Sequence, residues 1–165
     1  MRFHLLPLTT SLLFTSQVSH ANEALDFVLQ KAKDHGFTAC NAAIRNAFSV
    51  VGGSGIRVIT DKLPQTRDDS LKITAAFGEA GDSVYVSAEF RKIGKECIYT
   101  RTIILPMAKS CTAYFAEMSD SFKLEAETAG TIFTKNSGGA NMLLIPAGSN
   151  CVAIFNSDGV KPATK

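Results

Sequence analysis

Four cysteines are the residues of this chain whose chemistry is easiest to infer. Cys40, Cys97, Cys111 and Cys151 are even in number and widely separated. An even count in an exported chain is typical of two disulfide bonds. A zinc site needs closely spaced cysteines or histidines, and His35 is the only histidine after the first 21 residues. We therefore expect two disulfides, no metal site and no cofactor.

Strand length limits which cysteines can pair. The sequence predicts one strand from Cys97 to Leu105, whose ends would be about 26 Å apart at ~3.3 Å per residue. The six residues that follow can retrace at most about 20 Å. A disulfide needs Cα atoms within about 7 Å, so Cys97–Cys111 is excluded, and with it Cys40–Cys151. Two patterns remain: Cys40–Cys97 with Cys111–Cys151, which we favour, or Cys40–Cys111 with Cys97–Cys151.

No catalytic set is evident. A covalent hydrolase needs a nucleophile and an adjacent base, and the disulfides leave no free thiol. His35 precedes Gly36 at a predicted helix end, where a cation is favourable, so we interpret it as structural. The carboxylate pair Asp68-Asp69 lies in a polar loop, and Glu125 and Glu127 share one face of a predicted strand. We predict that the protein is not an enzyme and has no catalytic residues.

A glycine-rich segment, residues 52–55, could suggest phosphate binding. It lacks the Gly-Lys-Ser/Thr ending of a phosphate-binding loop and follows a predicted helix instead of preceding one. We interpret it as the end of that helix.

The first 21 residues have the layout of a secretory signal peptide. Arg2 is followed by leucine-rich apolar segments and by Ser19-His20-Ala21, a small-x-small cleavage site. We expect cleavage after Ala21, a single domain over residues 22–165, and a periplasmic or secreted location. Because the leader holds one basic and no acidic residue, the mature chain is one charge less positive than the formal +2 of the whole sequence. Neither a nucleic-acid partner nor a membrane span is expected.

The elements that must position these residues follow from hydrophobic periodicity. Residues 22–51 have helical spacing, with a break at His35-Gly36 and Thr38 as the expected cap of a second helix. About four strands follow, then a short helix over residues 111–118 and about four more strands, the last over residues 151–155, before a polar tail. This order predicts an α+β domain, with the N-terminal helices on one face of a large antiparallel sheet.

The most regular predicted hairpin suggests a binding face. Val84, Val86, Ala88 and Phe90 alternate with polar residues, and a three-residue turn, residues 93–95, would align them with Ile98 and Ile104. The opposite face would then carry side chains of the types enriched at binding hot spots. The candidate partner-binding residues are Tyr85, Glu89, Tyr99 and Arg101.

Export, compactness and the lack of a catalytic set together predict a small disulfide-stabilised binding protein whose partner is another protein. Its most concrete version is a periplasmic inhibitor or immunity protein that masks a toxin or hydrolase. Two alternatives remain: an envelope hydrolase whose carboxylates meet only in the fold, and a structural or assembly component of an envelope complex. A deep cleft lined by carboxylates would favour the hydrolase, and a flat Tyr/Arg face would favour the inhibitor.

Overall fold

The computed structural model describes residues 17–52, 55–62 and 69–164, with side chains from residue 23 onward. Most of the predicted signal peptide, the middle of the glycine-rich segment and Asp68 lie outside the described residues.

Two helices open the described chain. Helix α1 spans Gln17–Asp34 and helix α2 spans Asn41–Ala47. The break falls where the sequence predicts it, because Gly36 adopts a positive φ of 72°, which glycine tolerates at a helix end. The predicted cap is wrong: Cys40, not Thr38, precedes α2, and it makes no side-chain capping bond. A buried stripe on each helix faces the sheet: Ala24, Val28 and Ala32 on α1, and Ala43, Ile44 and Ala47 on α2.

Eight strands and a third helix complete the described fold. The strands are β1 Arg57–Asp61, β2 Ser70–Glu79, β3 Asp82–Ile93, β4 Glu96–Met107, β5 Lys123–Thr128, β6 Thr131–Lys135, β7 Asn141–Ala147 and β8 Asn150–Pro162. Helix α3, Cys111–Met118, separates β4 from β5, and the Ser110 side chain caps it by accepting from the Ala113 N–H. The predicted α+β class is confirmed.

All eight strands form one antiparallel sheet in the order β1-β2-β3-β4-β8-β7-β6-β5. The last strand is longer than predicted, since residues 157–162 continue β8 alongside β4. These residues include Asp158, Gly159 and Lys161, which are of types uncommon in strands. The prediction of a polar tail after residue 155 is therefore wrong, because pairing with a distant strand outweighs local propensity.

The turn between β3 and β4 has two residues, not the predicted three. Ile93 pairs with Glu96, so Gly94 and Lys95 alone reverse the chain, with Gly94 at a φ of 61°. Two-residue hairpins favour glycine at such positions. The change moves Tyr99 opposite Phe90, onto the apolar face of the hairpin.

All three helices lie on one face of the sheet, and two core clusters fill the space beneath them. The first joins α1 and α2 to strands β1–β4, and the second joins α3 to strands β6–β8 and to Phe122, just before β5. Leu105 and Phe155 contact both clusters. The core is therefore continuous across the central β4–β8 pair.

The two halves of the fold share one plan. Each half has a helix followed by a four-stranded antiparallel meander, and a disulfide joins the helix N-terminus to the second residue of the fourth strand. These bonds are Cys40–Cys97 and Cys111–Cys151, with Cα separations of 5.6 and 4.9 Å. The favoured cysteine pattern is confirmed. Thr102 and Asn156, each five residues beyond its half's strand cysteine, pair with each other, so the strand order is symmetric about this pair.

Candidate functional site

The sheet face opposite the helices, called the open face here, is not covered by any helix of the described chain. Successive side chains of a strand point to opposite faces of the sheet. Every second residue of each strand therefore lies on the open face. Tyr85 is 37% exposed there and Ile145 is 38% exposed. The open face therefore presents large apolar side chains to the surroundings.

A continuous apolar row crosses this face, at right angles to the strands. Each member is the direct cross-strand partner of the next, so the register alone places them side by side. At ~4.8 Å per strand the row is about 29 Å long. Its inner members are half-buried by one another. The apolar row consists of Ala76, Tyr85, Ile104, Ile154, Leu143, Phe133 and Ala126.

A polar row runs next to the apolar row and consists of Thr74, Ser87, Thr102 and Asn156. Its side chains are hydrogen-bonded to one another in pairs. The Thr102 hydroxyl donates to Asn156 Oδ1 at 2.8 Å, across the central strand pair. The Thr74 and Ser87 hydroxyls are bonded at 3.2 Å. These bonds fix the polar side chains in place, so they form an ordered boundary to the apolar row.

A shallow groove of about 360 Å³ lies beyond the polar row. Its lining includes the apolar side chains of Ile98 and Val160 and the charged side chains of Glu89, Arg91 and Asp158. Arg91 and Glu89 approach to 3.7 Å, with both side chains about half exposed. A carboxylic acid that donates a proton at neutral pH needs an apolar, desolvated setting. Glu89 is half-exposed and Asp158 is exposed, so neither carboxylate of this groove has that setting.

The structure separates the four predicted partner-binding residues. Tyr85 and Glu89 lie on the open face, whereas Tyr99 and Arg101 lie on the helix-covered face. The predicted grouping of all four on one face is therefore wrong, because the two-residue turn shifts β4 relative to the expected register. The binding role of Tyr85 and Glu89 stays a prediction.

Tyr99 and Arg101 instead join α2 to the sheet. Tyr99 is 6% exposed, and its hydroxyl donates to Asn46 Oδ1. Arg101 donates from Nη1 to the Ala47 carbonyl at 3.3 Å and from Nε to Ser157 Oγ at 3.2 Å. Both side chains therefore hold the C-terminal part of α2 against the central strands.

The remaining candidate groups are scattered. His35 Nε2 lies 2.6 Å from Thr60 Oγ1, which ties the end of α1 to β1. The predicted shared face of Glu125 and Glu127 is interrupted by a register shift between Leu124 and Ala126. Within the described residues no cluster of three or more histidine, cysteine or acidic side chains suits a metal ion. Nor does any described helix have the length and apolar character to cross a bilayer.

Sequence reasoning missed most of the apolar row, although two segments contain a signal for it. Residues 103–105 and 142–145 are unbroken apolar runs, and such runs are typical of strands with apolar side chains on both faces. In a sheet covered on one side only, a run of this kind indicates an exposed apolar strip. The strip itself becomes visible only when the strand order is known.

Comparison of the chain with protein-family models, with curated proteins and with solved structures gives no match.

Proposed function

We propose that this chain is an exported, non-catalytic binding protein that masks a partner protein with the open face of its sheet. The observation that carries the proposal is the apolar row, which crosses seven adjacent strands without interruption. Contiguous exposed apolar surface on a small domain commonly marks an interaction site.

The dimensions favour a protein partner over a small molecule. Small ligands are held in concave pockets that bury most of their surface, whereas the apolar row is about 29 Å long at ~4.8 Å per strand and lies on a sheet face. Specific protein interfaces bury roughly 800 Å² on each partner, with an apolar centre and a polar rim. The apolar row would supply the centre, and the polar row and charged groove would supply the rim.

Masking of a toxin or hydrolase is the most concrete form of this function. A rigid inhibitor binds more tightly than a flexible one with the same contacts, since ordering a flexible surface costs binding free energy. Two disulfides, each joining a helix to a central strand, and the satisfied polar row provide that rigidity. The same features suit a structural component of an envelope complex. The inhibition assay described below distinguishes that role from masking of a toxin or hydrolase.

Export is part of the proposal. Disulfides persist in oxidising compartments such as the periplasm or the extracellular space, and the N-terminal sequence has a signal-peptide layout. N-terminal sequencing of the exported protein is expected to begin at Asn22. An intact protein that retains Met1 would contradict cleavage.

Two exposed aromatic residues provide a matched test of the binding face. Tyr85 is 37% exposed on the open face, and Phe27 is 40% exposed on α1. Each is replaced in turn by benzoylphenylalanine, an aromatic photo-crosslinker, and the mature protein is irradiated in the envelope fraction of its own cells. We expect the position-85 variant to crosslink to a defined protein that the position-27 variant does not capture.

The captured protein is then purified and titrated with the unmodified chain. Tyr85→Ala is expected to weaken binding about thirtyfold, equivalent to ~2 kcal/mol at a hot spot. If the partner is an enzyme or toxin, the chain should inhibit it at stoichiometric concentration. Binding without inhibition would favour the assembly role. Equal crosslinking from both positions would contradict the open face as the binding surface.

A further inference from the structure

A second groove lies on the helix-covered face, between α3 and the edge strand β5. Its volume is about 350 Å³, and Phe115, Leu124, Ile132 and Pro146 supply its apolar lining. Leu124 is 54% exposed, although it pairs with Thr134, which is almost fully buried. An apolar side chain that points toward the core side of the sheet is therefore left uncovered.

The other half of the molecule shows what covers the equivalent place. Strand β1 is the counterpart of β5, since both begin a four-stranded meander and form an edge of the sheet. There, α1 packs against α2, β1 and β2. The register matches Leu124 of β5 with Thr60 of β1. Thr60 is half-buried and hydrogen-bonded to His35 at the end of α1, whereas Leu124 is exposed. The second half has α3 in the place of α2, but no described helix in the place of α1.

The helices themselves show the same difference. Ile44 lies four residues after Cys40, and Phe115 lies four residues after Cys111. Ile44 is completely buried, whereas Phe115 is only partly buried and lines the groove. The side of α3 that carries Phe115 is thus available for contact, whereas Ile44 on α2 is not.

We propose that this groove is the docking site for an amphipathic α-helix of a partner protein, in the position that α1 occupies in the first half. The expected helix has an apolar stripe with the spacing of Ala24, Val28 and Ala32, that is, i, i+4 and i+8. Glu127 lines the groove. Lysine or arginine beside the stripe would complement its carboxylate.

A partner helix is favoured over α1 of a second copy of this chain. The stripe on α1 is buried in its own half of the core, so an exchanged helix would have to leave that core before it could bind. The site is also independent of the proposed function, because it lies on the opposite face of the sheet from the apolar row. Variants in the groove and on the open face can therefore fail separately.

Three synthetic peptides test the proposal on the intact, oxidised protein. The first carries leucine and alanine at the α1 spacing with lysine elsewhere, and the second has glutamate in place of lysine. The third is residues 22–36 of this chain, which represents the second-copy occupant. Binding is measured by titration calorimetry and located by amide chemical-shift changes. The lysine peptide should shift Phe115, Leu124, Glu127 and Ile132, and the glutamate peptide should bind at least tenfold more weakly.

Leu124→Asp is expected to reduce binding of the lysine peptide at least tenfold. Its matched control is Ile145→Asp, at an exposed apolar position on the open face, which should bind like the parent. Chemical-shift mapping on the unmodified protein shows whether the lysine peptide binds in the groove even if Leu124→Asp does not fold. Shifts confined to other surfaces, equal affinity for the lysine and glutamate peptides, or tightest binding of the 22–36 peptide would each overturn the proposal.

Discussion

The ring of Tyr99 lies directly over Gly159, its cross-strand partner on β8, so closely that a Cβ atom at residue 159 would overlap the ring. Glycine is unfavourable inside most strands because it has no side chain to pack. At residue 159 the absence of a side chain leaves room for the aromatic ring of Tyr99, which reaches α2. The Tyr99–Gly159 contact thus couples the end of β8 to the N-terminal helices.

Gly159→Ala should therefore destabilise the fold although alanine is the smallest possible change. The added methyl group forces the Tyr99 ring to move, which disturbs its packing on Phe90 and its bond to Asn46. Overpacking of this kind costs about 1–3 kcal/mol, measurable as a loss of unfolding free energy in urea. Gly138→Ala is the control, because a Cβ atom there would make only an ordinary contact. Equal stability of the two variants would show that the ring has room to shift.

Each disulfide should contribute to stability to a similar extent. The bonds close segments with sequence separations of 57 and 40 residues, and the chain-entropy estimate is about 4 kcal/mol for each. The double replacements Cys40→Ala/Cys97→Ala and Cys111→Ala/Cys151→Ala are expected to lose about 2–5 kcal/mol. Urea unfolding measures the loss. Non-reducing peptide mapping of the unmodified protein should yield these two pairs, and a Cys40–Cys111 peptide would contradict the structure.

Much of the fold is predictable from local pattern, but the register of the hairpin is not. The alternation in β3 identifies its buried face from sequence alone, because polar residues separate Val84, Val86, Ala88 and Phe90. The sequence of β4 does not identify its buried face in the same way, because large apolar or aromatic side chains alternate onto both faces. Ile98 and Ile104 lie on one face, and Tyr99 and Ile103 lie on the other. The turn length decides between them, and Gly94 with Lys95 permits the shorter turn.

Contacts between segments that are distant in the sequence are the other feature of the fold that local sequence pattern does not predict. The second half of β8 has low strand propensity, and its assignment depends on pairing with β4, more than 50 residues earlier. The apolar row likewise depends on Ile104 lying beside Ile154. Disulfide pairing is easier to predict from the sequence than these contacts, because strand length alone excludes one of the three patterns.

Tyr114 on α3 should make stability depend on pH in the alkaline range. Burial raises the pKa of its phenol, the Glu117 carboxylate raises it further, and Lys109 partly opposes the change. In the unfolded chain a tyrosine ionises near pH 10. Above that pH the unfolded state loses the proton first, so unfolding becomes more favourable until the folded phenol also ionises.

Tyr114→Phe removes this contribution. Unfolding free energies of the variant and the parent should differ by a constant amount below about pH 9 and converge or cross as the parent loses stability above about pH 10. Far-UV circular dichroism in urea from pH 8 to pH 11 measures the difference, with the disulfides verified intact at each pH. A difference that stays constant through pH 11 would show that the folded phenol ionises like an unfolded one.

The guanidinium of Arg101 is expected to stabilise the C-terminus of α2. Its Nη1 donates to the carbonyl of Ala47, the last residue of that helix, and its Nε donates to Ser157 on β8. A cation near a helix C-terminus interacts favourably with the helix dipole, and hydrogen bonds from a charged group contribute roughly 1.5–3 kcal/mol. Arg101→Ala should therefore lower the free energy of unfolding by about 2 kcal/mol in urea titrations.

Arg91→Ala provides the matched control, because Arg91 is an exposed arginine on the open face that lies near the half-exposed Glu89. Surface ion pairs contribute about 0–1 kcal/mol, so this variant should be nearly as stable as the parent. High salt should reduce the small Arg91 effect, which is solvent-screened, while leaving most of the Arg101 effect. Equal losses for the two variants would contradict the placement of Arg101 beneath α2, and with it the two-residue turn that puts Arg101 on the helix-covered face.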